Sequence, residues 1–194
     1  MNEGDCRCIR YIDDFIILAP TKKAASARMR KAIKLLAELG MELSPEKSSQ
    51  EPNSIQTSFE FLGIEFSNGF IRPSTKSHQH LMTQIDSSLQ TSLSAFRAHR
   101  SGHVFPKSQS LVSALKRIDG IIQGWGKHYR FCNDDTLIQN LDGLVKDCLR
   151  AYIGAYADTR ERSEESERQY FLGVEKLSSI KREPFLWPTI ENPK

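Results

Sequence analysis

Arg10-Tyr11-Ile12-Asp13-Asp14-Phe15-Ile16-Ile17-Leu18-Ala19 sets how the rest of this 194-residue chain is read. Two adjacent carboxylates sit between short runs rich in Ile, Tyr and Phe, a pattern that predicts strand, tight turn, strand, with Asp13 and Asp14 at the tip. The apolar flanks predict strands at least half buried, which would hold both acids against a protein wall. Unpaired carboxylates in such a place repel each other and lose hydration. A divalent cation relieves both costs, and hard oxygen donors favour Mg²⁺ or Mn²⁺. The competing reading is a surface hairpin whose turn is Asp-Asp because Asp suits turns.

Outward from that stretch, the chain continues as mixed α/β to about residue 73. Thr21 caps a predicted helix to about Leu39, with Ala25, Met29, Ile33, Leu36 and Ala37 on one face and Gly40 as its stop. A short strand is expected at Met41-Glu42-Leu43, a loop at Glu51 to Thr57, and a strand from Phe59 to Phe66. Ser67-Asn68-Gly69-Phe70 predicts a hairpin, since Asn-Gly readily takes the positive φ angles of a type I′ turn. Phe70-Ile71-Arg72 returns, and Pro73 ends it.

From Ser74 the pattern is helical. Leu81, Ile85, Leu89, Leu93 and Phe96 keep a helix period over about Thr75 to Arg97. A second helix is expected from Pro106, carrying Leu111, Leu115, Ile118 and Ile122 and broken at Gly124-Trp125-Gly126. A third follows the cap cluster Asn133-Asp134-Asp135, with Leu137, Leu141, Leu144, Val145, Cys148, Leu149 and Tyr152 in one stripe. Arg160 to Arg168 carries no apolar residue and reads as a solvated helix or a linker. Tyr170-Phe171-Leu172 and Phe185-Leu186-Trp187-Pro188 are candidates to dock a tail. The expected class is thus α+β, divided as residues 1–73, a helical piece at 74–157, and a charged linker and tail at 158–194.

Composition narrows the partners. Hydrophobic residues make up 39% and charged residues 26% of the chain, ordinary for a globular protein. No membrane-spanning or signal pattern appears, so no membrane partner and a cytoplasmic location are expected. Cys6, Cys8, Cys132 and Cys148 lack paired C-x-x-C spacing and read as free, partly buried thiols rather than zinc ligands. The net charge of +3 is uneven: Arg72 to Cys132 holds nine Lys or Arg against two Asp, and all five histidines. A cationic middle on a mildly acidic remainder points to nucleic acid, with a solvated helical face as the alternative.

Three segments in this order resemble the reverse transcriptase family. Tyr11-Ile12-Asp13-Asp14 is similar to its Y-x-D-D turn. Leu39-Gly40-Met41-Glu42-Leu43-Ser44-Pro45-Glu46-Lys47 resembles its L-G-x-x-x-x-x-x-K segment, and Phe59-Glu60-Phe61-Leu62-Gly63 its F-x-F-L-G primer grip. Ile121-Ile122-Gln123-Gly124-Trp125-Gly126-Lys127-His128-Tyr129-Arg130, with Leu141-Asp142 after it, resembles the thumb of bacterial group II intron enzymes, His128 replacing a Tyr. The resemblance covers roughly residues 8 to 155.

It implies the C-terminal half of a polymerase palm followed by an all-α thumb, in an RNA-directed DNA polymerase that extends a DNA primer on an RNA template with deoxynucleoside triphosphates. Two Mg²⁺ (or Mn²⁺) ions would serve the phosphoryl transfer. By the same resemblance Asp13 is a metal ligand and Asp14 the acid beside it. Lys47 is the proton donor to pyrophosphate. Tyr11 flanks the active site, and Phe61, Leu62 and Gly63 hold the primer end. Arg72, Lys107, Lys116, Arg117, Lys127 and Arg130 are candidates for phosphate contacts, whereas Trp125 and Tyr129 read mainly as packing residues.

A complete enzyme of this family places fingers and the first palm half, with another metal-binding Asp, ahead of the Y-x-D-D turn. Here about ten residues precede Tyr11. The chain is therefore expected to be a fragment, or one subunit whose partner chain supplies the fingers, and to be inactive alone. A non-catalytic, maturase-like RNA-binding protein is the alternative. An open strand edge beside the turn predicts poor solubility.

Overall fold

The computed structural model describes residues 6–46, 48–49 and 51–185. It divides into two compact units, each discontinuous in sequence: Met1–His80 with Gly126–Asp142, and Leu81–Trp125 with Gly143–Lys194. The class is α+β, as expected, with small antiparallel sheets and five α-helices among the described residues.

In the first unit, β1 (Arg7–Tyr11) and β2 (Asp14–Leu18) pair as a two-stranded hairpin from Arg7↔Leu18 to Tyr11↔Asp14, leaving Ile12-Asp13 as a two-residue loop. Helix α1 (Lys22–Glu38) follows, its Thr21 hydroxyl accepting the Ala24 N–H at 3.2 Å, as a capping Thr does. Ala25, Met29 and Leu36 of the expected apolar face are partly covered and Ala32 is buried, but Ile33 and Ala37 are exposed.

A three-stranded meander comes next, β3 (Phe59–Phe61), β4 (Ile64–Ser67) and β5 (Phe70–Pro73). Phe59 and Phe66, cross-strand partners, stack with ring centroids 5.0 Å apart. The Asn68-Gly69 turn has positive φ at both residues, 47° and 82°, as a type I′ hairpin requires.

Five expectations need correction. Phe59 to Phe66 is two strands, because Leu62-Gly63 reverses the chain. Met41-Glu42-Leu43 is not a strand; an extended tripeptide without a neighbouring strand has no ladder to join. Strand β1 is largely exposed rather than half buried, with Ile9 53% and Tyr11 59% accessible, because β2 is its one strand neighbour among the described residues. Gly124-Trp125-Gly126 does not break its helix. Helix α3 runs Leu111–His128, entered through a 3₁₀ turn at Lys107–Gln109 rather than starting at Pro106. Two glycines cost about 1 kcal/mol each in a helix, and the tertiary packing of Ile118, Ile121, Ile122 and Trp125 outweighs that.

The second unit takes α2 (Thr75–Arg100) from Leu81, α3 to Trp125, α4 (Asp135–Glu161) from Gly143, and α5 (Glu165–Leu172). The predicted stripe of α2 is buried in full: Leu81, Ile85, Leu89, Leu93 and Phe96. Phe96 stacks on Phe105 at 4.9 Å and meets Tyr156 and Phe171 edge-on. Phe171 therefore docks as the tail motif suggested, and the charged run resolves into the end of α4 and the start of α5. Leu144, placed in the α4 stripe, is exposed, as is Phe185; Leu186, Trp187 and Pro188 lie outside the described residues. Two polar groups are tolerated in this core because they satisfy each other: Ser92 donates to the Gln109 carbonyl at 2.6 Å, leaving Tyr152 to donate to Ser92 at 2.8 Å.

Phe96→Ala is expected to destabilise this unit by about 3–5 kcal/mol in urea unfolding, since it empties the centre of the aromatic cluster. A loss under about 1 kcal/mol would contradict the packing described.

Candidate active site

The two-residue loop places Asp13 at its second position, while Asp14 opens β2 opposite Tyr11. Tyr11, Asp13 and Asp14 thus gather at one exposed hairpin end. Ile12 carries φ +53°, an outlier for a β-branched residue that costs on the order of 1–3 kcal/mol. Arg10 Nε donates to the Ile12 carbonyl at 2.8 Å and ties the strained turn to its own strand.

Mg²⁺ asks a protein for one or two carboxylates and takes its other ligands from water and phosphate. Asp13 and Asp14 fit that requirement for one ion. Among the described residues no third His, Cys, Asp or Glu joins them, so the donor set falls short of a two-ion site. Lys47 lies outside the described residues.

Phe61, Leu62 and Gly63 form the second hairpin end. Leu62 and Gly63 have φ +54° and +74°, a type I′ pair in which a leucine occupies a position that disfavours side chains. Its support comes from Ser74 and Ser77, which the sequence did not single out, and from Tyr129, which it marked for packing. The Gly63 carbonyl accepts from the Ser74 N–H at 2.9 Å and from the Ser77 hydroxyl at 3.1 Å. Because Ser77 gives its one proton to Gly63, it accepts from Tyr129, whose hydroxyl lies 2.8 Å away, and from Ser74, at 3.2 Å. A Cβ on Gly63 would meet Ser77 Oγ at 3.1 Å and Tyr129 Oη at 3.5 Å.

Strand β5 is latched by the segment before α4. Asn133 accepts from Ile71 N–H at 2.7 Å, returns its own N–H to the Ile71 carbonyl at 3.0 Å, and donates its amide to Gly69 O at 2.9 Å. Asp134 accepts the Leu137 N–H at 3.0 Å, capping α4, and pairs with Arg72 at 3.3 Å. Arg72 also pairs with Glu65 on β4 at 2.7 Å. The Arg72 and Ser58 hydrogen bonds hold the Glu65 carboxyl below its usual 4.5. The Leu137 N–H, then Arg72, hold Asp134 below 3.8.

The candidate phosphate contacts sort by engagement. Arg72 is committed to these carboxylates. Arg117 is fixed by Ser88, Gln109 and the Ser108 carbonyl, and Lys107 pairs with Glu175 at 2.5 Å. Lys116, Lys127 and Arg130 are exposed and carry no ion pair among the described residues. Arg72, Lys127 and Arg130 belong to the first unit, and Lys107, Lys116 and Arg117 to the second. Tyr129 acts through its hydroxyl rather than as a packing aromatic alone, and Trp125 packs against the helical core.

Residues 1–66 match the family model for reverse transcriptase (RNA-dependent DNA polymerase), about a third of the chain. No match was found among curated proteins or among solved structures. The match supports an RNA-directed DNA polymerase relationship, and both hairpin ends described above fall within it. Among the described residues no helix is long and apolar enough to cross a membrane.

Gly63→Ala is expected to cost about 1–3 kcal/mol in urea unfolding, from the positive φ and the displaced Ser77, and Tyr129→Phe about 1 kcal/mol. Both depressed carboxyls make the latch sensitive to acid. Its stabilisation is complete above the ordinary values of 4.5 and 3.8 and is lost as pH falls through the lower folded values. Thermal melts between pH 7 and pH 2 should show that loss, and Glu65→Gln should flatten it; an unchanged slope would remove Glu65 from the latch.

Proposed function

We propose that this chain is the C-terminal part of an RNA-directed DNA polymerase, contributing the second half of the palm and a helical thumb. Asp13 and Asp14 hold a divalent cation, Mg²⁺ or Mn²⁺, and Tyr11 flanks the site. Phe61, Leu62 and Gly63 position the primer end, and Lys47 serves the departing pyrophosphate. The observation that carries this reading is the coincidence, within the matched segment, of the exposed Asp13-Asp14 hairpin end with a second glycine-bearing turn whose carbonyl is held from below.

The chemistry assigns clear roles. A bound Mg²⁺ would neutralise developing charge on phosphate oxygens and lower the pKa of an attacking hydroxyl. Asp13 and Asp14 supply anionic oxygens at a loop whose exposure leaves room for triphosphate and water. The Gly63 turn, braced by Ser77 and Tyr129, offers a rigid backbone surface for a primer end, and its missing side chain makes room for that brace. Lys116, Lys127 and Arg130 are the thumb cations free to meet duplex phosphates, and Arg72, Lys107 and Arg117 keep the protein's own structure. A further carboxylate and the nucleotide pocket come from fingers and first palm half, on a preceding segment or a partner chain.

Extension of a DNA primer on an RNA template, measured with that half present, should fall by about 100-fold or more in Asp13→Ala, while binding of the template duplex is retained. Extension by Asp13→Ala at the unaltered rate would refute the polymerase reading. RNA binding without extension in every combination would leave a maturase-like RNA-binding protein in its place.

A further inference from the structure

Helix α1 carries six Lys or Arg (22, 23, 28, 30, 31, 34) and a single acid, Glu38, in 17 residues. None of the six is among the candidate phosphate contacts named above. Lys22, Lys23, Arg30, Lys31 and Lys34 are exposed. At 100° per residue Lys23, Arg30 and Lys34 fall within about 40° of one another, and Lys31 lies beside them. The row spans about 16 Å along the axis at 1.5 Å per residue, the reach of two to three successive nucleic-acid phosphates.

Such a face does not serve the helix itself. Lys22 and Lys23 occupy the first turn, where the positive end of the macrodipole disfavours cations by about 0.3–1 kcal/mol. Arg30 and Lys34 are like charges one turn apart, which costs a few tenths more. No ion pair among the described residues compensates the exposed row. A stripe that costs stability and goes unneutralised among the described residues is suited to an external polyanion. An anionic membrane is the poorer fit, because Ala32 is buried and Met29 and Leu36 are partly covered, so that Ile33 and Leu35, the large apolar residues α1 leaves exposed, are too few for an embedded face.

We propose that the Lys23-Arg30-Lys34 face of α1 is a second nucleic-acid contact, apart from the thumb, that grips the phosphate backbone of duplex RNA without reading its sequence. The choice of RNA over DNA rests on the polymerase reading above; the stripe and its polyanion do not.

The test is fluorescence anisotropy of a 20-base-pair RNA duplex across a potassium chloride series, with the full chain. The variant is Lys23→Gln/Arg30→Gln/Lys34→Gln, whose replacements keep helix propensity. Its melting temperature should stay level or rise, because repulsion is removed. Its log K against log salt should be shallower by about 2 to 3, and its affinity roughly 100-fold weaker at 0.15 M salt. Arg162→Gln/Lys181→Gln/Arg182→Gln removes the same charge from exposed positions elsewhere and should keep the wild-type slope.

An unchanged slope in the α1 variant, or an equal loss in the control, overturns the proposal. So does a loss confined to DNA duplex or to phosphatidylserine vesicles. Asp13→Ala should leave the salt slope intact, so failure of the stripe and failure of the polymerase reading appear in separate measurements.

Discussion

Six residues, Tyr129 to Asp134, hold the three-stranded sheet from outside its own sequence. Asn133 gives β5 the hydrogen bonds that a fourth strand would have given, and Asp134 and Arg72 tie the same edge to β4. Tyr129 reaches Ser77 and through it the Gly63 carbonyl. The Asn133 bonds lie at the surface, whereas those of Arg72, Ser77 and Tyr129 join partly buried groups, where an unmade partner is expensive. Remove the segment and the meander becomes three short strands with one stacked Phe pair, too little to order a tight turn carrying a leucine at positive φ.

The two hairpin ends solve one problem by different means. A hairpin tip that exposes backbone and acidic side chains keeps little packing to define its shape. At Leu62-Gly63 the definition comes from beneath, through hydroxyls on α2 and the Tyr129 segment. At Ile12-Asp13 it comes from within the hairpin, through a β-branched residue in a strained conformation and the Arg10 tie. Strain of this kind fixes a loop without covering it, and it leaves the two carboxylates open to water.

Local rules made the helices legible. The 3.6-residue period of α2, the Thr21 cap and the Asn133-Asp134-Asp135 cluster are self-contained signals, and each element formed where they pointed. The Asn68-Gly69 hairpin was equally plain. Phe59 to Phe66 was harder, because alternation and apolar content continue through Leu62, and only the backbone shows that the chain reverses there. Met41-Leu43 has strand-like residues but no partner, and strand formation is a property of pairs. The commitment of Arg72 and Arg117 was invisible for a related reason: Arg72 meets Asp134 across 62 residues, and no pattern in the chain announces the pairing. Asn133 read as a cap because Asn is a cap residue; Asp134 is the cap, and the task of Asn133, on β5, needs the fold.

The first unit is made of two stretches separated by the helical segment Leu81–Trp125. On a ribosome adding 5–20 residues per second, Ile71 would emerge some 3–12 s before Asn133, 62 positions later, becomes available to it. During that interval the meander has an unlatched edge and an unsupported Gly63 turn. A nascent chain in this state is a natural client for a chaperone, and a synonymous change that slows translation between α2 and α4 would lengthen the exposure without altering any residue of the finished protein.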